Sequence, residues 1–403
     1  MKLLMLSWEY PPHVIGGLGR HVAELAPALA AQGVDVHVVT PVSTQFGEIV
    51  TIEKGVTVHR VSAPVVNSDS NIYDRVVKAN QTLEYYIKQL DITFDFIHVH
   101  DWLTGFAGNA LQQIWRKPLL ATIHATERGR GRGYIGNDLQ RAIDNAERDL
   151  IQQASHLIVC SRHMSQEVQT FFHTSPNRVD VVPNGVNIDD LVNECDDKDL
   201  DAFRAKYAAP DDLIVFTVTR LVYEKGVHRL VEATPRILAE CPQARIIIAG
   251  KGPEAENLAN QAQHLGVAAR VHFAGFISDE ERNCFYKVAS CAIFPSLYEP
   301  FGIVALEAMA LRCPVVVSDV GGLTEIVKHS ENGVTIYPDD AESASWGVLR
   351  VLTHPEWAEQ YAANAYRHVE QLYNWPRIAR LTRAVYRRVL NKAALPSIDG
   401  KSI

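Results

Sequence analysis

Short β-branched runs alternate with amphipathic stretches almost from one end of this sequence to the other, and a parallel α/β sheet requires that alternation. In the first half, Lys2–Leu6, Val34–Thr40, Thr57–Ser62, Phe96–His100, Leu119–His124, Leu157–Cys160 and Val179–Pro183 read as strands. Arg20–Gln32, Tyr73–Gln89 and Asp138–Gln153 read as helices between them. The second half repeats the pattern with strands at Leu213–Val218, Ala244–Ala249, Val271–Ala274, Cys291–Phe294, Pro314–Ser318 and Gly333–Ile336. Runs such as LIVF and RIIIAG are apolar without a break, as strands covered on both faces are.

At 403 residues the chain suits about two or three domains. Between its halves lies NIDDLVNECDDKDLDAFRAKYAAPDD, dense in acids and poor in apolar residues, which reads as a solvated linker with a small surface helix. Asp199-Leu-Asp201 inside it is a D-x-D, but it follows no strand and is not read as a metal site. Two Rossmann-like domains are therefore expected to meet near residues 185–212. Open α/β sheets bind ligands beyond the carboxyl ends of their strands, so two such domains facing each other would put the chemistry in the cleft between them.

Composition narrows the classes. The 39 basic and 47 acidic residues leave a formal charge of −8. That argues against nucleic acid as the main partner, because a phosphate backbone wants a clustered excess of Lys and Arg. A small anion held by a few local cations stays open. The opening MKLLMLSWEYPP resembles a leader, but Trp8, Glu9 and Pro11-Pro12 end its apolar run before the roughly 7 to 15 residues of a secretory core. No stretch reaches the roughly 18 apolar residues of a membrane span, which leaves peripheral membrane contact open. The six cysteines, at 160, 195, 241, 284, 291 and 313, include no C-x-x-C pair and no partner His at zinc spacing. They read as buried thiols, and the chain as cytoplasmic. Oligomeric state leaves no signature.

Gly16-Gly17-Leu18-Gly19 follows the first strand and opens a helix, where glycines let backbone N–H groups approach an anion. The spacing is not G-x-G-x-x-G, so no dinucleotide fingerprint is present, and a flexible turn reads equally well. Arg220 and Lys225 leave the first strand of the second half and precede a helix near Gly226. A guanidinium that grips oxygens in pairs and a mobile ammonium suit a diphosphate; a solvated charged turn is the plainer alternative. In SLYEPFGIVALE, Pro300 biases Glu299 toward extended geometry, so that carboxylate belongs at a strand end. A helix starting near Phe301–Gly302 leaves N–H groups for a phosphate. Glu307, about one and a half turns in, could accept bonds from vicinal hydroxyls such as those of a ribose. Alone it reads as an exposed helical acid. Two carboxylates also raise acid/base hydrolysis, disfavoured because only one of them sits at a strand end.

His124 closes its strand and should project at the carboxyl edge. His98 and His100 alternate along FIHVHDW ahead of Asp101, and each alone reads as a satisfied core or edge histidine. His13, His21 and His37 carry no functional signal. Directly after His124, Arg128, Arg130 and Arg132 alternate with glycines. They read as a mobile cationic loop, either gripping an anionic acceptor such as a sugar phosphate or closing as a solvated flap.

Order and placement make these patterns specific: EYPPxxxGGLG near the start, HVHDW at 98–102, IHATE at 123–127, VVPNGV at 181–186, TRLVYEKG at 219–226, AGKGPE at 249–254, HFAGFIS at 272–278, E-x7-E at 299–307 and VVVSDVGGLTEIV at 315–327. With them the chain resembles the retaining glycosyltransferases of family 4, the group that includes glycogen synthases and sucrose-phosphate synthases. The resemblance implies the GT-B fold, two Rossmann-like domains facing each other across a cleft. Residues 1–190 would form the acceptor-side domain and 191–375 the nucleotide-sugar-binding domain, with about 376–403 crossing back to the first.

The resemblance also implies an enzyme that moves a hexose, most commonly glucose, from a UDP- or ADP-hexose to an acceptor hydroxyl with the α configuration kept. Arg220 and Lys225 would bind the diphosphate and stabilise the charge that grows on it. Glu307 would hold the ribose, and Glu299 the donor sugar's hydroxyls beside the backbone of Phe301, Gly302 and Ile303. Gly250 and Phe276 would complete the donor site, and His124 would contact the sugar from the opposite domain. The amides of Gly16, Gly17 and Gly19 would line the phosphate or acceptor side. No metal and no cofactor beyond the substrate is implied. An α-glucan or a sugar or sugar phosphate is the favoured acceptor, but ATERGRGRGYIG departs from the sucrose-phosphate synthase pattern. Ile15 stands where glucan synthases usually carry a Lys. A nucleotide-sugar epimerase of similar architecture, transfer to fructose 6-phosphate, and a scaffold that has lost its chemistry are the alternatives; the presence of Arg220, Lys225, Glu299 and Glu307 together speaks against the last.

Overall fold

The computed structural model describes residues 1–13, 16–43, 48–63, 71–196 and 199–394. The chain divides into two α/β units, one comprising Met1–Asn184 with the segment that begins at Trp375, the other Gly185–Asn374. Of the segment expected to cross back, residues 395–403 lie outside the described residues.

The first unit contains an eight-stranded sheet. Its strands are β1 (Lys2–Leu6), β2 (Asp35–Ser43), β3 (Ile49–Glu53), β4 (Val56–Ala63), β5 (Phe96–His100), β6 (Leu119–Ile123), β7 (His156–Val159) and β8 (Val179–Val181). They stand in the order β3-β4-β2-β1-β5-β6-β7-β8, all parallel except the β3–β4 pair. Strand β3 was not legible as a strand: three of its five residues face solvent, with Ile52 80% exposed, so it lacks the buried face of its neighbours. It forms because the Lys54-Gly55 turn folds it back on β4 as an edge hairpin.

The other unit carries a six-stranded, all-parallel sheet in the order β11-β10-β9-β12-β13-β14. Its strands are β9 (Leu213–Val218), β10 (Ala244–Ala249), β11 (Val271–Gly275), β12 (Cys291–Phe294), β13 (Val315–Ser318) and β14 (Val334–Ile336). Ile246, Ile247 and Ile248 are fully buried, which is why that run has no polar alternation.

The acidic segment carries the surface helix expected of it, but as two packed helices rather than as a solvated linker. It folds as helices Ile188–Asp196 and Leu200–Ala205 within the second unit. Asn283 Nδ2 donates to the Leu191 carbonyl and Lys287 Nζ to that of Val192, each at 3.3 Å, and the Phe203 ring lies 4.9 Å from Phe285. The apolar residues are few, but they share one face of each helix, and composition does not register spacing.

The last described helix, Trp375–Ala394, packs on the first unit. Trp375, Ile378, Ala379, Tyr386 and Val389 are buried in one cluster with Leu25 and Leu29 of helix Gly17–Ala30. Gln32 Nε2 donates to the Pro376 carbonyl (2.8 Å) and Arg383 to that of Gln32 (2.6 Å).

Cys160, Cys241, Cys291 and Cys313 are free and buried. Cys284 is disulfide-bonded, which corrects the reading of all six as thiols; the side chain of Cys195 lies outside the described residues. Among the described residues no helix is long and apolar enough to cross a membrane.

Candidate functional site

In the second unit, β9, β10 and β11 step outward in one direction and β12, β13 and β14 in the other, so the strand order reverses between β9 and β12. A crevice opens at the carboxyl ends of strands at such a reversal. Arg220 and Lys225 follow β9; Glu299 follows β12. Lys225 Nζ lies 2.8 Å from Glu299 Oε2, the two side chains 16% and 12% exposed. Ser296 Oγ is 3.4 Å from the same oxygen. Arg220, by contrast, is exposed, and its guanidinium has no partner among the described residues.

Backbone contacts lock these loops together. The amides of Leu297 and Tyr298 donate to the Glu224 carbonyl at 2.8 and 3.2 Å. Gly226, in left-handed geometry with φ 66°, caps helix Val227–Glu240, and a Cβ there would run into the Pro295 carbonyl oxygen. Gly302, with φ 108°, turns the chain from Glu299 into helix Ile303–Ala310, whose first amides have no intrahelical partner. Phe301 is buried and Ile303 half-buried beside it. On the other side of β9, the Gly250 amide donates to the Gly275 carbonyl at 2.6 Å. The next residue along, Phe276, is 75% exposed, with Lys251 Nζ 5.7 Å from its ring centre.

Glu307 is not an exposed helical acid. It is 4% exposed, with Arg282 Nε 3.4 Å from its Oε2, and Arg282 in turn bonds Asp279 at 2.5 Å. A carboxylate held that deep is an acceptor fixed in place by a partner.

In the first unit the order reverses between β1 and β5. Helix Gly17–Ala30 follows β1, and Gly16, its N-cap, donates its amide to Glu9 Oε2 at 3.0 Å. An internal carboxylate thus already uses one of the three glycine amides; Gly17 is exposed and Gly19 buried in the first turn. His100 ends β5, and Asp101 follows in a backbone conformation rare for a non-glycine residue (φ 57°, ψ 178°). Its buried carboxylate accepts the His124 amide at 2.7 Å, and burial raises its pKa to about 7.

His124 sits one residue beyond β6. Its Nε2 is 3.1 Å from His100 Nδ1, and its ring centre is 4.8 Å from that of His21. His21 Nδ1 is 2.7 Å from Asn184 Oδ1. Burial, chiefly, pushes the His21 pKa down to about 4 and those of His100 and His124 well below the usual imidazole range. Sequence reasoning passed over His21 and His100; their one signal was position, the first turn of a helix after β1 and the last residue of β5. His98 is a satisfied core histidine, bonded at 2.7 Å to both Tyr386 and Thr122.

The arginine-glycine run is not a loose loop. Thr126 caps a helical turn, Glu127–Arg130, by accepting the Gly129 amide at 2.9 Å. Arg128 grips Asp144 through two bonds of 2.6 and 2.9 Å, and Arg130 lies 3.4 Å from Glu127. Acids on the following helix, Asp138–Gln153, take up the charge that composition alone leaves exposed. Only Arg132 of the three is exposed; Arg128 and Arg130 are half-buried.

Two α/β units, each with polar side chains gathered where the strand order reverses, define a GT-B-type glycosyltransferase. Among solved structures, a sucrose-phosphate synthase from Thermosynechococcus elongatus matches with a TM-score of 0.80 at 26% identity, over 97% of this chain and 99% of that one. Residues 15–190 match the family described as Glycosyltransferase Family 4 and residues 199–368 the one described as Glycosyl transferases group 1. An uncharacterized glycosyltransferase of Methanocaldococcus jannaschii is 38% identical over 388 residues, 96% of this chain and 98% of that protein. A glycogen synthase of Mycobacterium tuberculosis is 34% identical over 406 residues, 96% of this chain and 94% of its own. The chain belongs to the family 4 glycosyltransferases.

Proposed function

We propose that the protein is a retaining hexosyltransferase that moves glucose from a UDP- or ADP-sugar to a carbohydrate hydroxyl, an α-glucan being the favoured acceptor. The observation that carries the donor side is the Lys225–Glu299 pair at the β9/β12 reversal. An ammonium held by one carboxylate keeps two further N–H donors for phosphate oxygens, while the exposed Arg220 supplies a paired grip. Glu299, oriented by Lys225, accepts from the donor sugar's hydroxyls. Amides at the start of helix Ile303–Ala310 add positive potential. Glu307, fixed by Arg282, accepts the ribose hydroxyls, and Gly250 and Phe276 border the base.

As the glycosyl bond breaks, negative charge grows on the diphosphate, and Arg220 and Lys225 stabilise it more than they stabilise the bound donor. The leaving phosphate takes the acceptor's proton, so the new bond forms on the face the old one left and no metal is called for. His124, whose amide is held by Asp101, is the imidazole assigned to a sugar hydroxyl. The relative named glycogen synthase supports the glucan acceptor.

Incubating the protein with UDP- and ADP-glucose, with and without glycogen, fructose 6-phosphate or glucose 1-phosphate, tests the reading. Nucleotide diphosphate should rise only when acceptor is added, and NMR should show an α anomer in the product. Interconversion of sugars without nucleotide release would point to an epimerase instead.

A further inference from the structure

The imidazoles around His124 form more than a sugar contact. One ring nitrogen from each of His21, His100 and His124 lies within 4.8 Å of the others. The 3.1 Å between His100 Nδ1 and His124 Nε2 is close to the roughly 3.4 Å that two nitrogens keep on one tetrahedral zinc ion. His21 Nδ1 faces the Asn184 carbonyl oxygen at 2.7 Å, so it carries the proton and leaves a lone pair on Nε2. That Nε2 is buried with no hydrogen-bond partner among the described residues. Buried polar atoms in native proteins nearly always have a partner, and a buried lone pair beside two further imidazole nitrogens marks a place where something else supplies it.

We propose that His21, His100 and His124 form a binding site for one divalent transition-metal ion of the zinc class. Neutral imidazoles select such an ion over magnesium or calcium, which prefer oxygen. Asn184 holds His21 by the nitrogen not used for the metal, the arrangement that outer-shell partners give to ligating histidines. Asp101 fixes the backbone at His124 by accepting its amide. Three protein nitrogens leave a fourth position open, as in catalytic rather than structural zinc sites. The ion engages His124, which the donor reading uses for the sugar, so on that reading metal binding inhibits transfer.

The test is made on the full chain stripped by chelator, then titrated with Co2+ in the absence of any sugar. The expected result is one Co2+ per chain with the intense visible bands of a four-coordinate ion, displaced by Zn2+. X-ray absorption of the zinc-loaded protein should count three imidazole nitrogens. His21→Ala and Asn184→Ala, each checked for folding by circular dichroism, should weaken binding by about tenfold or more. Absence of stoichiometric Co2+ binding to the unmodified chain would overturn the proposal, as would fewer than two imidazoles on zinc. Binding of equal affinity in His21→Ala would do the same. Because no sugar is present, failure here leaves the transferase reading intact.

Discussion

Lys225 Nζ and Glu299 Oε2 stand 2.8 Å apart although 74 residues separate them in the chain. The pair ties the exit of β9 to that of β12 where the strand order reverses, and it gives a cation and an acid one shared position. Neighbouring Arg220 has no such tie, so the two cations answer differently to removal.

Arg220→Ala is expected to keep the wild-type melting temperature and lose about 100-fold or more in kcat, the cost of one charge-stabilising donor. Lys225→Ala is expected to lose activity and also stability, about 1–3 kcal/mol, because it strands Glu299 in a largely buried place. The double variant should be down by several orders of magnitude. Steady-state kinetics beside thermal denaturation separates these outcomes; near-normal turnover of the double variant would defeat the donor assignment.

Gly226→Ala should destabilise far more than Gly266→Ala. Both glycines have positive φ, but a Cβ at Gly266 meets nothing within 4 Å, whereas one at Gly226 strikes the Pro295 backbone. Backbone strain alone accounts for about 1 kcal/mol at Gly266. Urea denaturation of the two variants, together with activity of the Gly226 one, checks the difference; equal losses would show that the loop contact is unimportant.

Arg128 and Arg132 are expected to part company. Arg128→Ala removes a two-bond grip on the buried Asp144 and should cost about 1–3 kcal/mol of stability, because Arg148 stays 3.6 Å from the same carboxylate. Arg132→Ala should leave stability within about 0.5 kcal/mol. An acceptor-phosphate role is therefore tested on Arg132 alone: a raised KM for a phosphorylated acceptor with unchanged donor KM supports it, and no change in either removes it.

Acid should loosen the first unit through His59. Its Nε2 is 3.1 Å from His37 and its Nδ1 3.0 Å from Tyr86, and burial lowers its pKa to about 4 from the ordinary 6.5. The unfolded chain therefore takes up the proton first as pH falls. Stability from this group is full above pH 6.5 and is lost progressively between 6.5 and about 4, by a few kcal/mol at most. His59→Gln should flatten that stretch of the urea-midpoint profile; an unchanged slope would exonerate His59.

Several elements were legible before any fold was known. Strands Lys2–Leu6, Phe96–His100 and Leu213–Val218 stand where the apolar runs place them, because a strand covered on both faces must be apolar throughout. Strand β3 escaped because an exposed edge imposes no such pattern, and the acidic segment was misread because three or four well-spaced apolar residues suffice to seat a short helix. The arginine run misled for a related reason: a charge is solvated or paired according to what faces it, and Asp144 lies sixteen positions downstream.

Local order in the chain thus determined the alternation of strands and helices, the placing of Arg220, Lys225 and Glu299 at strand ends, and the glycines that let those loops turn. Strand order was the tertiary structure's to decide. Periodicity says which residues face a sheet's coverings but nothing about which strands are neighbours. The meeting of Lys225 with Glu299, the burial of Glu307 against Arg282, and the gathering of His21, His100 and His124 all depend on that order. Each is a contact between segments far apart in the chain, fixed by hydrophobic packing of whole layers rather than by anything adjacent in sequence.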